Sequence, residues 1–163
     1  MSEYRFKEIQ LNALRKPHLD DIVGLYRQLS PGKEPRLRMK AKYLTNFQVF
    51  CAFRSDSPSG SRRAIVSIAT LARVDTSEKS FGQVHDVVTD EAHRGKQFGR
   101  EMSLAEEILR MMIDSARDQK FAYLELTSKP DREAANGLYQ KVGFKLLAQA
   151  MDGNGTNLYR LYL

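Results

Sequence analysis

One stretch constrains this chain more than any other. Val84-His85-Asp86-Val87-Val88-Thr89 is followed by Asp90-Glu91-Ala92-His93 and then by Arg94-Gly95-Lys96-Gln97-Phe98-Gly99-Arg100. Val84, Val87, Val88 and Thr89 are β-branched, which favours a strand. The polar run Asp90–His93 ends that strand in a turn, and the next segment holds two glycines and three cations, Arg94, Lys96 and Arg100. A long run with helical periodicity follows. A strand, a Gly/Arg/Lys loop and a helix N-terminus, in that order, make a site for a phosphorylated ligand. Backbone N–H groups and the helix dipole point at the anion, and the cations add to both. On these residues alone the alternative stays open: an ordinary strand–helix turn with exposed cations.

The remaining composition narrows the partners without choosing one. A chain of 163 residues is expected to form a single domain over residues 1–163 with a core that needs no staples. Lys and Arg number 26 against 20 Asp and Glu, a net charge of +6. That suits an anionic partner, whether nucleic acid, membrane surface or polyphosphorylated cofactor. The one cysteine, Cys51, lies in the apolar run Val49–Phe53 and reads as a small buried hydrophobe. No intramolecular disulfide and no cysteine metal cluster can form, so no metal is expected and a reducing compartment fits. The first residues have no apolar signal region. The longest uncharged runs, such as Leu44–Phe53, reach about half of the roughly 20 residues a membrane span needs. A cytoplasmic protein is expected.

Taken in order, Arg5–Asn12 alternates weakly and reads as a strand. His18–Leu29 carries Leu19, Ile22, Val23, Tyr26 and Leu29 at helical spacing and is stopped by Ser30-Pro31-Gly32. In Arg36–Asn46 the cations Arg36, Arg38, Lys40 and Lys42 alternate with Leu37, Met39, Ala41 and Tyr43. It is read as a second helix with basic stems along its flanks, either a solvated face or a basic patch. Phe47–Arg54, Ala64–Val74 and Phe81–Thr89 read as three strands in an antiparallel meander. The adjacent Val87-Val88 breaks alternation, as a bulge or a strand buried on both faces would. A helix is predicted from Phe98 to Ala116, a strand over Phe121–Thr127, and a helix with Pro130 as its first residue and Gly143 closing it. Strands at Lys145–Met151 and Leu158–Leu163 flank the turn Asp152–Gly155. The expected fold is α+β: a central mixed, mostly antiparallel sheet of about seven strands flanked by four helices.

Two motifs in that order carry a family resemblance. Arg94-Gly95-Lys96-Gln97-Phe98-Gly99 resembles an Arg-x-x-Gly-x-Gly signature, with Gln97 where the first motif glycine is usual. Leu138-Tyr139-Gln140-Lys141-Val142-Gly143-Phe144 resembles a Leu-Tyr-x-x-x-Gly-Phe block. Together they are similar to the GNAT superfamily of acyl-CoA-dependent N-acyltransferases. The likeness covers most of the chain by element order and is specific over about Gln83–Phe144.

The resemblance implies acetyl-CoA as co-substrate, its pyrophosphate cradled by the backbone of Arg94, Gly95, Lys96, Gln97, Phe98, Gly99 and Arg100. Gln97 keeps its amide donor. Val87, Val88 and Thr89 would supply backbone partners to the pantetheine arm, in a gap between strands that a bulge opens. One N–H there would stabilise the developing oxyanion. Tyr139 matches the tyrosine that protonates the departing thiolate, a phenol of pKa about 10 acting on a thiolate of about 8–9. His85 stands where many relatives place a general base, and histidine is a residue type suited to taking up a proton from an amine. A histidine satisfied within the sheet is equally compatible, and Glu125 and a water chain are the other candidates. Arg132 occupies the position of an Asn that contacts pantetheine in relatives. The implied reaction moves an acetyl group to an amine of a small molecule or peptide by direct attack in a ternary complex. The alternative is a non-catalytic acyl-CoA-binding sensor or partner-binding module. Neither membrane nor nucleic acid is expected as a partner, and a homodimer is among the assemblies the resemblance implies.

Overall fold

The chain builds β1 (Tyr4–Ile9), α1 (Lys16–Leu29), β2 (Phe47–Ser55), β3 (Arg63–Asp75), β4 (Ser80–Thr89) and a 3-10 turn (Glu91–His93). Then come α2 (Leu104–Asp118), β5 (Tyr123–Ser128), α3 (Glu133–Lys141), β6 (Lys145–Ala148) and β7 (Asn157–Tyr162). This is a computed structural model, and it describes residues 4–10, 14–33, 47–55, 63–95, 100–150 and 155–163. The helix expected over Arg36–Asn46 lies outside the described residues, as does most of the turn Asp152–Gly155. Among the described residues, three helices and the 3-10 turn accompany a seven-stranded sheet ordered β1-β2-β3-β4-β5-β7-β6. Every neighbouring pair is antiparallel except β4–β5, which are joined through α2. A parallel pair needs such a crossover, so the strand–loop–helix stretch fixes the one parallel junction of the sheet.

The strands bury both faces. On one, Phe50, Ala52, Leu71, Val84, Leu124 and Leu126 pack against α2 through Ile108, Leu109 and Met112, and against Tyr139 and Val142 near α3. On the other, Val49, Cys51, Phe53, Ile65, Ile68 and Val88 pack against Ile22 and Leu25 of α1. Cys51 is fully buried, and burial pushes its thiol up to about 12, so it behaves as the small hydrophobe the sequence suggested.

The two valines break alternation because β4 carries a bulge. Thr70 pairs with His85 and Ile68 with Val88, so Asp86 and Val87 together oppose Ala69. Asp86 takes the left-handed conformation, φ 53°. One extra residue reverses the in–out pattern of a strand. Val84 therefore lies in the α2-facing cluster, and Val88, four positions on, in the α1-facing one. Parallel pairing of β4 with β5 is confined to Gly82↔Leu124 and Gln83↔Glu125. Beyond that point the two strands part.

Two helix starts differ from the periodicity. The helix predicted from Phe98 begins at Leu104, because Ser103 caps it and its Oγ accepts the Glu106 N–H at 3.2 Å. The apolar spacing extended the helix backwards over residues that the serine excludes. The Glu106 side chain does not return to the cap. It is buried and receives Lys141 Nζ at 2.5 Å and Arg110 Nη2 at 3.1 Å, tying the first turn of α2 to the end of α3. Likewise Pro130 sits in a turn ahead of α3 rather than at its first position. Asn136 Nδ2 donates to the Lys129 and Pro130 carbonyls at 3.0 and 3.2 Å and so holds that turn outside the helix.

The far end of α3 closes as expected. Gly143, at φ 107°, donates to the Gln140 carbonyl and Phe144 N–H to the Tyr139 carbonyl, both at 3.0 Å. This is a Schellman cap, completed by the Phe144 ring against Tyr139 with centroids 6.3 Å apart.

Gly82, the first of the two β4 residues that pair with β5, leaves no free space for a side chain. A Cβ on Gly82 would come within 2.5 Å of Leu124 Cδ2 and 2.6 Å of Leu71 Cδ1. Gly82→Ala is expected to cost about 1–3 kcal/mol, read as a lower urea midpoint; an unchanged midpoint would mean that both leucines repack freely.

Candidate active site

Where β4 and β5 part, a cleft of about 760 Å³ opens. Val87, Val88 and Thr89 form one wall, His93, Arg94 and Gly95 the turn beyond it, and Ser103, Leu104 and Ala105 the start of α2. The opposite wall is α3, through Ala135, Leu138 and Tyr139, with Arg132 at its cap. Helix N-termini leave amide N–H groups without intrahelical partners, so the start of α2 presents donors to this space. A second cavity, about 110 Å³, lies on the other side of the divergence and is lined by His85, Asp86, Thr127 and Ser128. The two cavities share Leu29, Val87, Arg132 and Tyr139.

The structure thus brings Val87, Val88, Thr89, Arg94, Gly95, Arg132 and Tyr139 to one cleft and places His85 beside it. Gly95 has φ 78° and open space where a Cβ would stand, which lets a ligand approach its backbone closely. Arg94 Nε donates to the Thr89 carbonyl at 3.0 Å, tying the loop back to the end of β4. Lys96, Gln97, Phe98 and Gly99 lie outside the described residues. Arg100, counted among the cations of an anion site, turns away. Its guanidinium pairs with Glu107 and lies over the rings of Tyr4 and Phe6, 5.3 and 5.4 Å from their centroids. It does not line the cleft, so only its backbone remains for a phosphate.

Tyr139 is 7% exposed and lies in the last turn of α3. Burial pushes its hydroxyl up to about 12, against the opposing pull of Arg132 and with a smaller upward contribution from Tyr159. The phenol therefore keeps its proton well past neutral pH. Arg132 Nη2 donates to the Leu29 carbonyl at 2.7 Å, at the negative end of α1. This contact spans from α3 to α1.

His85 is exposed on β4, just before the bulge. Glu125 is differently placed: Arg160 Nη2 donates to its Oε2 at 2.7 Å, and the guanidinium stacks 4.3 Å from the Tyr123 ring centroid. Its carboxylate is engaged in that pair.

The residues that sequence reasoning missed are on the last turns of α1. Tyr26 Oη donates to Asp86 Oδ2 at 3.2 Å, and burial followed by the Asp86 charge pushes the phenol above its ordinary value. Gln28 Nε2 donates to Asp90 Oδ2 at 2.8 Å, while Gln28 Oε1 accepts the Glu91 N–H at 3.0 Å. Burial acts on Asp90 upward, but hydrogen bonds from Gln28, His93 and the Ala92 N–H outweigh it and hold the carboxyl below its usual range. No local signal marked them, since Tyr26 belongs to the apolar stripe of the helix and Gln28 reads as an ordinary polar position. Their partners lie some 60 positions away.

No described helix is long and apolar enough to cross a membrane. Comparison with curated proteins returned no match. Among solved structures, an acetyltransferase from Streptococcus agalactiae 2603 is similar over 100% of both chains at 18% identity, with a TM-score of 0.72. A GNAT family acetyltransferase from Elizabethkingia anophelis with acetyl-CoA bound covers 100% of both chains at 14% identity and TM-score 0.64. The NatC complex bound to Gag peptide and CoA covers 99% of both at 13% identity and TM-score 0.75. At these identities the likeness is one of fold. The model of the acetyltransferase (GNAT) family matches residues 19–144, most of the chain and all of the cleft walls described above. The chain belongs to the acetyltransferase (GNAT) family, acetyl-CoA-dependent acetyltransferases built on this fold.

Proposed function

We propose that the chain is an N-acetyltransferase that moves the acetyl group of acetyl-CoA to an amine of a small molecule or peptide, by direct attack in a ternary complex. One observation carries this reading: a large cleft and a small polar cavity open on either side of the β4–β5 divergence and meet at Tyr139. The larger suits the co-substrate and the smaller the amine. The residues present fit that assignment. The larger cleft lies within the size range of ligand sites and combines an apolar α3 wall with the Arg94–Gly95 turn and the N-terminal donors of α2.

Acetyl-CoA supplies an activated thioester carbonyl and a thiolate that can leave. Val87, Val88 and Thr89, unpaired with β5, offer backbone groups to the pantetheine arm and a donor to the thioester oxygen. Arg94 and Gly95 hold the pyrophosphate side, and Arg132 adds positive charge at the cap of α3. Tyr139, protonated and buried at the junction, gives its proton to the departing sulfur. His85 takes the proton of the amine on the side of the smaller cavity, directly or through one water. Glu125, engaged by Arg160, is left out of that role. Cys51, buried in β2 with a raised thiol, forms no acyl-enzyme.

A melting curve with acetyl-CoA at a hundred times its Kd is expected to show about 2.7 kcal/mol of added stability; no shift at millimolar concentration would sink the reading. With an amine panel and thiol release as the readout, Tyr139→Phe is expected to lower kcat by about a hundredfold or more while the Kd for acetyl-CoA stays within about twofold. An unchanged kcat would remove Tyr139 from the acid role.

A further inference from the structure

His93 belongs to neither the acid nor the base, yet it is buried, lines the larger cleft and stands directly before Arg94 and Gly95. Its ring is held from both sides. Nδ1 lies 2.9 Å from Asp90 Oδ1, and Nε2 lies 2.7 Å from Arg54 Nη1. A guanidinium has only N–H donors, so Nε2 must accept from Arg54; the Asp90 carboxylate then takes the proton on Nδ1. The edge of the Tyr4 ring, whose residue pairs with Arg54 across β1 and β2, completes the surround at 6.1 Å. Asp90 is fixed in turn. Its Oδ2 accepts Gln28 Nε2 at 2.8 Å, its Oδ1 also accepts the Ala92 N–H at 3.0 Å, and its own N–H donates to the Val66 carbonyl at 2.9 Å.

We infer that His93 is a positioning residue, locked as the Nδ1–H tautomer between Asp90 and Arg54, that sets the orientation of the Arg94–Gly95 turn for a pyrophosphate. This rests on reading that turn as part of the cofactor cradle. The 3-10 turn is short: His93 N–H donates to the Asp90 carbonyl at 2.9 Å, but Arg94 N–H reaches the Glu91 carbonyl only at 3.4 Å, so the backbone bonding weakens toward the Arg94–Gly95 end. Besides the Arg94 Nε bond to the Thr89 carbonyl, the side-chain chain Arg54–His93–Asp90 connects the turn to β2 and, through Gln28, to α1. A charge-assisted link at each nitrogen favours one ring orientation, and with it one direction for the residues that follow.

Calorimetric titration with acetyl-CoA tests this on the full chain. His93→Ala is expected to weaken binding about tenfold, the scale of one lost charge-assisted hydrogen bond. His93→Asn, which keeps a donor near Asp90, serves if the alanine variant does not fold, and is expected to weaken binding as well. Independently, ¹⁵N-resolved NMR of the wild-type imidazole is expected to show the proton on Nδ1, which a merely space-filling histidine would not require. A Kd within twofold of wild type in the folded variants, or a proton on Nε2 with Nδ1 bare, would overturn the inference. Wild-type protein that binds no acetyl-CoA would instead overturn the reading of the cleft itself.

Discussion

The cleft depends on one extra residue in β4. A regular strand there would continue its parallel ladder with β5 and close the sheet. The insertion at Asp86–Val87 turns the pleat over, sends Val88 to the α1 side and ends the β4–β5 pairing after two residue pairs. Asp86 occupies a left-handed conformation that costs a non-glycine residue free energy. The contact from Tyr26 and the ladder with β3 on either side hold it there. Unpaired strand backbone is normally a liability. Here it lines the cleft, facing a helix wall instead of a neighbouring strand.

Once the ladder is gone, something else must set the separation of the two walls. The last turns of α1 do so. Tyr26 and Gln28 reach the β4 side, and the Leu29 carbonyl receives Arg132 from the α3 side. Each contact is polar and individually modest, of the order of 1 kcal/mol net. Their value is geometric, since they come from one rigid helix that packs on the sheet through Ile22 and Leu25. Arg132 is explained in part by this span.

Much of this was legible in the residues. The meander, the crossover helix and the two motifs followed from alternation, helical spacing and glycine placement, because each is a local property. The broken alternation at Val87-Val88 signalled the bulge, although only the register with β3 distinguishes it from a strand buried on both faces. The start of α2 lies later than the apolar spacing predicts because the Ser103 cap, not the periodicity, sets it. The orientation of Arg100 could not be read, since its partners Tyr4, Phe6 and Glu107 come from β1 and from the following helix. The same holds for the Arg54–His93–Asp90 chain: nothing in the local sequence marks Arg54 as a neighbour of the turn.

Tyr139 and Phe144 have a double identity in this architecture. The block that resembles a catalytic signature is also a complete helix stop, with Tyr139 supplying the carbonyl that Phe144 binds and the ring that Phe144 covers. The proposed chemistry and the folding therefore fall in the same six residues, Tyr139–Phe144. A variant at Gly143 would disturb the setting of the Tyr139 hydroxyl without changing that residue itself. The phenol is aimed by the way its helix ends.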